Sequence, residues 1–337
     1  MRRLIGALLL ATVGFGACER VEITSEQTTT TFEKGSSVDL TLLQKIVDAP
    51  STVSWMGRRR FEAHYSYQGA PNQIVYEETV ITDGTGRFQL RAEDLITPVV
   101  PANEEALFLL SQDNREGLMF RHRDPTVRDA ALFLKNYTAI DAGVVESIAG
   151  RSCARWTVHG NAGGNTWTIW IDLATGVILK NEERDGGQVL ISLVEYLDFT
   201  DAPDTVNAVW HTSPLQESPL VLSQAKAQLG FDPLKPKLLP ANFRLLHCER
   251  VVEPIDSRTW ARFTYSDGWA TLMSMDGGEM PSPQPAQQGI APGADLLRFL
   301  EVGPWAIADG RVAGRRVLAA VRGNETLLKL LVESSVQ

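Results

Sequence analysis

The chain has little of what catalytic and metal-binding sites are usually made from. Of its 337 residues three are cysteine (Cys18, Cys153, Cys248) and five are histidine (His64, His122, His159, His211, His247). The histidines are scattered, with no His-Glu-x-x-His or Cys-x-x-Cys spacing, so no metal site is expected. Gly-x-Ser-x-Gly and Gly-x-x-x-x-Gly-Lys are also missing, which removes the commonest hydrolase and phosphate-loop signatures. Glu77-Glu78 and Glu182-Glu183 are paired in sequence only. Neighbours on a strand point to opposite faces and cannot work as an acid/base couple. The expectation is a chain without catalytic residues, metal or cofactor, and not an enzyme.

Basic charge is scarce as well. The sequence carries 32 Lys and Arg against 41 Asp and Glu, a formal net charge of -9, which argues against neutralising nucleic-acid phosphates. Long apolar runs are absent too: the run at 4–13 is about 10 residues, too short to span a bilayer. What is present is a 44% hydrophobic chain, long enough for about two domains with their own cores.

The opening "MRRLIGALLLATVGFGAC" has the layout of an export signal: two arginines, an apolar run, then small residues. Gly16-Ala17-Cys18 resembles the lipobox of bacterial lipoproteins, whose cysteine is lipidated and becomes the new N-terminus; Phe15 departs from the usual Leu. The alternative is ordinary cleavage nearby, with Gly14 and Gly16 as the small residues. The expected boundaries are a signal peptide over 1–17, Cys18 as lipid anchor, and a Ser/Thr-rich tether over 18–38 without apolar periodicity. Such a protein is exported to the periplasm and touches a membrane through its anchor only. Export permits a disulfide between Cys153 and Cys248; the other reading is two buried thiols in separate domains.

Residues 39–49 place Leu40, Leu43 and Val47 on one helical stripe, with Leu42 and Ile46 beside it and Asp39 as cap. Residues 60–68 alternate Phe61, Ala63, Tyr65 and Tyr67 against polar neighbours, a half-buried strand. Two more strands flank a turn at 83–86, with Phe88 and Leu90 on one face. Helices are expected over 103–111 and 125–137, the second with Val127, Ala131 and Leu134 inward. A strand is expected at 117–123. From 145 to 200 four strands are separated by turns at Gly163-Gly164, Thr175-Gly176 and Gly186-Gly187. Within "NTWTIWIDL", Trp167, Ile169 and Ile171 share a face and Trp170 points to the other. Strand runs interrupted by a few helices indicate an α+β fold with helices over one face of an antiparallel sheet. Residues 201–220 carry three prolines and no periodicity, the expected linker between domains at 39–200 and 221–337. Beyond it lie a helix, strands at 243–253 and 259–275, a polar loop at 276–292, a strand pair or one long strand at 309–323, and a closing helix.

These stretches carry a resemblance. "IAGRSCARWTVHG" and "TIWIDLATGVILKNEERDGGQVL" resemble the N-terminal domain of the RseB/MucB family of periplasmic sigma-E regulators. "LLPANFRL", "FTYSDGWATLMSM" and "VLAAVRGNETLLKLLVESS" resemble successive elements of its C-terminal domain. Residues 64–95 do not reproduce the family's pattern. The resemblance implies an N-terminal domain similar to the lipoprotein carriers LolA and LolB and to LppX: an antiparallel sheet curled as an unclosed β-barrel with helices over its concave face, followed by a smaller α+β domain. It implies two classes of function. One is a regulator that binds a membrane-spanning anti-sigma factor and senses lipid or acylated lipoprotein; the other is a lipid or lipoprotein carrier or receptor. The hydrophobic cavity would draw on Phe61, Tyr65, Tyr67, Phe88, Leu90, Phe120, Trp156, Trp167, Ile169 and Ile171, for which plain core is the other reading.

Overall fold

In the computed structural model the described residues are 37–67, 70–84, 88–97, 124–203, 216–252, 258–279, 296–302 and 305–322, with Leu328 and Val332. Cys18, Phe120, His122, His211 and the elements expected at 103–111 and 117–123 lie outside them.

The first helix, α1 (Leu40–Thr52), starts as its sequence asks: the Asp39 carboxylate accepts from the Thr41 amide at 2.8 Å, satisfying an end-of-helix donor. Its buried residues are Leu42, Leu43, Ile46 and Ala49, whereas Leu40 is exposed and Val47 half-buried. The inward stripe is therefore turned toward Leu42 and Ala49 from the one expected. Pro50 lies in the last turn, where the lost N–H ends the ladder within two residues.

Among the described residues nine strands make the first sheet: β1 (Ser54–Tyr67), β2 (Ala70–Asp83), β3 (Phe88–Leu95), β4 (Tyr137–Ile148), β5 (Arg151–Gly160), β6 (Thr166–Asp172), β7 (Ile178–Arg184), β8 (Leu190–Tyr196) and β9 (Thr200–Asp201). Their order is β3-β2-β1-β8-β7-β6-β5-β4, with β9 on β1, and every pairing is antiparallel. β3 and β4 end this order, so the sheet is unclosed. The next helix among the described residues, α2 (Ala130–Asn136), is shorter than 125–137. It is capped by Asp129 and buries Leu132, Phe133 and Asn136; of the residues expected inward, Val127 is buried ahead of the helix, Leu134 packs half-buried against the same cluster and Ala131 is exposed.

Strand alternation sends Trp167, Ile169 and Ile171 beneath the helices, in one cluster with Leu42, Leu43, Ile46, Phe133, Tyr137 and Trp156. Each such buried side chain contributes roughly 1.5–3 kcal/mol. Trp170 goes to a different cluster with Trp55, Leu179, Tyr196 and Phe199; its indole donates to Glu146 at 2.8 Å and Lys180 sits 4.9 Å over its ring. Gly176, at φ +79°, brings the β6–β7 turn against α1, and a Cβ there would lie 2.6 Å from the Lys45 backbone.

The second sheet contains β10 (Gln216–Pro219), β11 (Arg244–Val252), β12 (Thr259–Ser266), β13 (Thr271–Glu279), β14 (Leu296–Val302), β15 (Trp305–Val312) and β16 (Arg315–Arg322), in the order β10-β11-β12-β13-β16-β15-β14. The segment 309–323 thus resolves as part of a strand pair. In place of the longer helix expected after 218 stand a 3₁₀ turn, Leu222–Gln224, and α3 (Ala225–Leu229). Leu220, Ala225 and Leu229, with Leu328 and Val332, pack against Ala261, Phe263, Tyr265 and Val317. The architecture is α+β: an unclosed antiparallel sheet with helices on one face, then a second antiparallel sheet. Among the described residues no helix is long and apolar enough to cross a membrane.

Candidate functional site at the seam between the sheets

The two sheets meet along a seam that is closed in one part by polar contacts and an inserted indole and hollow in another. The closed part centres on the turn between β12 and β13. Asp267 accepts from the Tyr137 hydroxyl at 2.6 Å and, through its carbonyl, from Asn136 Nδ2 at 2.8 Å. Arg128 donates to Thr271 Oγ1 at 2.7 Å, and Arg244 pairs with Asp129. Trp269, 1% exposed, is driven into the first sheet's cluster, with ring centroids 5.7 Å from Phe133 and 6.0 Å from Trp167. Farther along, Arg322 of β16 pairs with the fully buried Glu183 of β7, whose carboxylate also accepts from Asn165 at 2.8 Å and Ser192 at 3.2 Å.

The hollow part is a cavity of about 350 Å³. One wall is apolar: Ile46, Ala49 and Pro50 of α1, Trp55, Pro125, Val177, Ile178 and Tyr196. The rest is polar: Arg59, Thr82, Asp124, Thr126 and Arg128 from the first-sheet side, His247, Glu249 and Arg262 from the second. Arg59 is 3% exposed and bridges Glu78 at 2.7 Å and Asp124 at 2.8 Å. Arg262, 1% exposed, bridges Glu217 at 2.8 Å and Glu249 at 2.7 Å. Burial pulls the Arg128 guanidinium down to about 10, against the opposing charge of Asp124. The Tyr196 phenol is pushed up by burial and accepts from the Trp55 indole at 3.2 Å. An apolar wall facing fixed guanidinium and carboxylate groups suits an amphipathic guest, with orientation set by the polar side.

The residues marked for a cavity in the sequence separate into two groups. Trp156, Trp167, Ile169 and Ile171 share the cluster beneath the helices. Phe61 and Tyr65 lie in another, with Ala63, Ile74, Tyr76 and Val194. None of these six lines the seam cavity. Tyr67, Phe88 and Leu90 fall on β1 and β3, with side chains outside the described residues. Sequence reading passed over Arg59 and Arg262. A signal for Arg59 existed: it lies two residues before Phe61 and shares its face of β1. Cys153 and Cys248 are free thiols, both pushed up to about 11 chiefly by burial. Among the described residues no group of His, Cys, Asp and Glu is arranged to hold a metal.

No family model matches the chain, and no curated protein matches it. Among solved structures, it is similar to the MucA/MucB complex of Pseudomonas aeruginosa at 15% identity and a TM-score of 0.45, over 86% of this chain and 95% of that one. MucB in complex with the periplasmic part of MucA gives 15% identity and 0.45, over 87% and 96%. MucB by itself gives 14% and 0.45, over 88% and 96%. At such distance the function has to be reasoned from the site.

Proposed function

We propose that the chain is an exported, non-enzymatic binding protein of the RseB/MucB type, which holds the periplasmic part of a membrane-spanning anti-sigma factor at the seam. One observation carries the reading. Two of the stretches that resemble that family, 168–190 and 263–275, come together at the seam. The first supplies Gly176, Val177 and Ile178 to the cavity wall, and the second supplies the turn that inserts Trp269. The cavity's mixture of apolar and charged walls fits a peptide segment that alternates aliphatic and charged side chains. On this reading 1–17 is removed, Cys18 carries the lipid anchor, 18–38 is the tether, 39–200 and 221–337 are the two domains, and 201–220 links them. Lipid or acylated lipoprotein, felt through the apolar cluster of the first sheet, would be the signal.

The test is in-cell crosslinking of the tagged protein in its own envelope, with proteins and lipids identified by mass spectrometry. Recovery of a single-span anti-sigma protein, lost on Arg262→Glu, is the expected result. Recovery of acylated lipoproteins without such a partner overturns it in favour of a carrier. Labelling with a palmitate analogue should mark the wild type and not Cys18→Ser; an unlabelled wild type sinks the anchor.

A further inference from the structure

The hydrophobic clusters of the described residues sort by sheet. Two draw only on residues 220–332, and two only on residues 49–199. The cluster beneath α1 and α2 draws on residues 38–178 with one exception, Trp269. Among the described residues, Trp269 is therefore the one side chain of the second sheet that joins a hydrophobic cluster of the first.

The turn that carries it is built to keep its shape without the first sheet. Ser266 Oγ donates to the Ala270 carbonyl at 2.7 Å and accepts from the Gly268 amide at 2.9 Å. Asp267 Oδ1 accepts from the amides of Trp269 and Ala270 at 3.1 and 2.8 Å. From the other side the turn is held by the packing of Trp269 on Phe133 and Trp167 and by polar contacts from Arg128, Asn136 and Tyr137. Docking leaves one polar group poorly served: the Trp269 indole N–H is buried without an acceptor, and an unsatisfied buried donor weighs against the docked state. Bodies with cores of their own are those that move relative to one another unless their contact is large and apolar.

We propose that the β12–β13 turn is a releasable lock: residues 266–270 withdraw as one piece, taking Trp269 out of the first sheet and opening the seam while each sheet keeps its own core. The lock operates whatever occupies the neighbouring cavity.

Hydrogen exchange of the full chain, followed by mass spectrometry, tests it in wild type, Trp269→Ala and Gly268→Ala. The second variant deletes no core atom. Gly268 has φ +105° and its new methyl would sit 2.3 Å from the Phe133 amide nitrogen, so the turn is forced outward. In both variants amides of 128–137 and 264–272 should exchange about tenfold faster, with β7 and β15 at wild-type rates. If Trp269→Ala does not fold, Gly268→Ala is read by itself, and it decides. Acceleration spread evenly over both sheets would make Trp269 an ordinary core residue and overturn the lock, as would wild-type rates at the turn.

Discussion

β8 of the first sheet and β12 of the second are near equals in length, seven and eight residues, yet they are buried in different ways. Along β8, Ser192, Val194 and Tyr196 are buried while Leu193 and Glu195 are half-buried. Along β12, all of residues 260–266 are buried. A strand with one face toward water alternates; a strand covered on both faces does not. In β12 one covered face is apolar (Ala261, Phe263, Tyr265) and the other mixes Trp260 with Arg262, Thr264 and Ser266. On that second face Trp260 packs within the second sheet's own cluster and Arg262 pairs with Glu217 and Glu249 while lining the cavity that the first sheet also lines.

The sharpest way to press this comparison is to hollow each core in turn. Trp156→Ala in the first sheet and Phe263→Ala in the second should each lower unfolding free energy by about 3–5 kcal/mol in urea titrations. A loss below about 1 kcal/mol for either would mean that its cluster is not a closed core. Next comes the charged contact between the sheets. Arg322→Met leaves Glu183 buried without its cation and should remove about 3 kcal/mol, while adding Glu183→Gln should return most of it. A double variant no more stable than the single one would show that the pair is more than mutual compensation. At the edge of the first sheet, Asp39→Ala should cost about 1 kcal/mol, read as a lower melting midpoint.

The smallest effect contrasts two carboxylates and is read by sign. Burial raises the Asp267 carboxyl above its ordinary range, in spite of hydrogen bonds from Tyr137 and from the amides of its own turn. Burial pushes Asp172 in the same direction, but hydrogen bonds from Arg151 and Thr175 and the charge of Arg151 carry it below. The contribution of Asp267 is thus present below the unfolded value and lost as pH rises through the folded one; that of Asp172 is present above the unfolded value and lost as pH falls through the folded one. Relative to Asp267→Asn the wild type should weaken as pH rises from about 4, and relative to Asp172→Asn as pH falls below about 4. Denaturant midpoints over that range check both, and equal slopes would refute the contrast.

The alternating strands were legible because alternation is a local property: β5, β6, β7 and β8 fall where their apolar periods and Gly turns put them. β4 was half lost. It follows α2 with no breaker, and its middle is interrupted by a bulge at 141–145, where the Gly143 amide turns back onto the Asp141 carboxylate at 2.8 Å. The inward face of α1 was misjudged by about one position, since Leu40 and Leu42 are equally apolar and only the sheet below decides between them. For the site the shortfall has another cause. The cavity gathers α1, β1, the β6–β7 turn, 124–128, β11 and β12, segments up to about two hundred residues apart, and no local pattern reports such a meeting. "SDGW" falls inside the stretch 259–275 expected as strand, and the structure turns the chain there between β12 and β13; that its tryptophan belongs to another sheet's core is tertiary information.

The Trp167 and Trp269 rings stand 6.0 Å apart at 70°. Indoles this close and skewed share their excited states, so the pair should contribute an exciton couplet to the circular dichroism, absent once either ring moves away. The protein therefore carries its own optical gauge of whether its halves are engaged, readable as a difference spectrum against Trp269→Phe without any attached label.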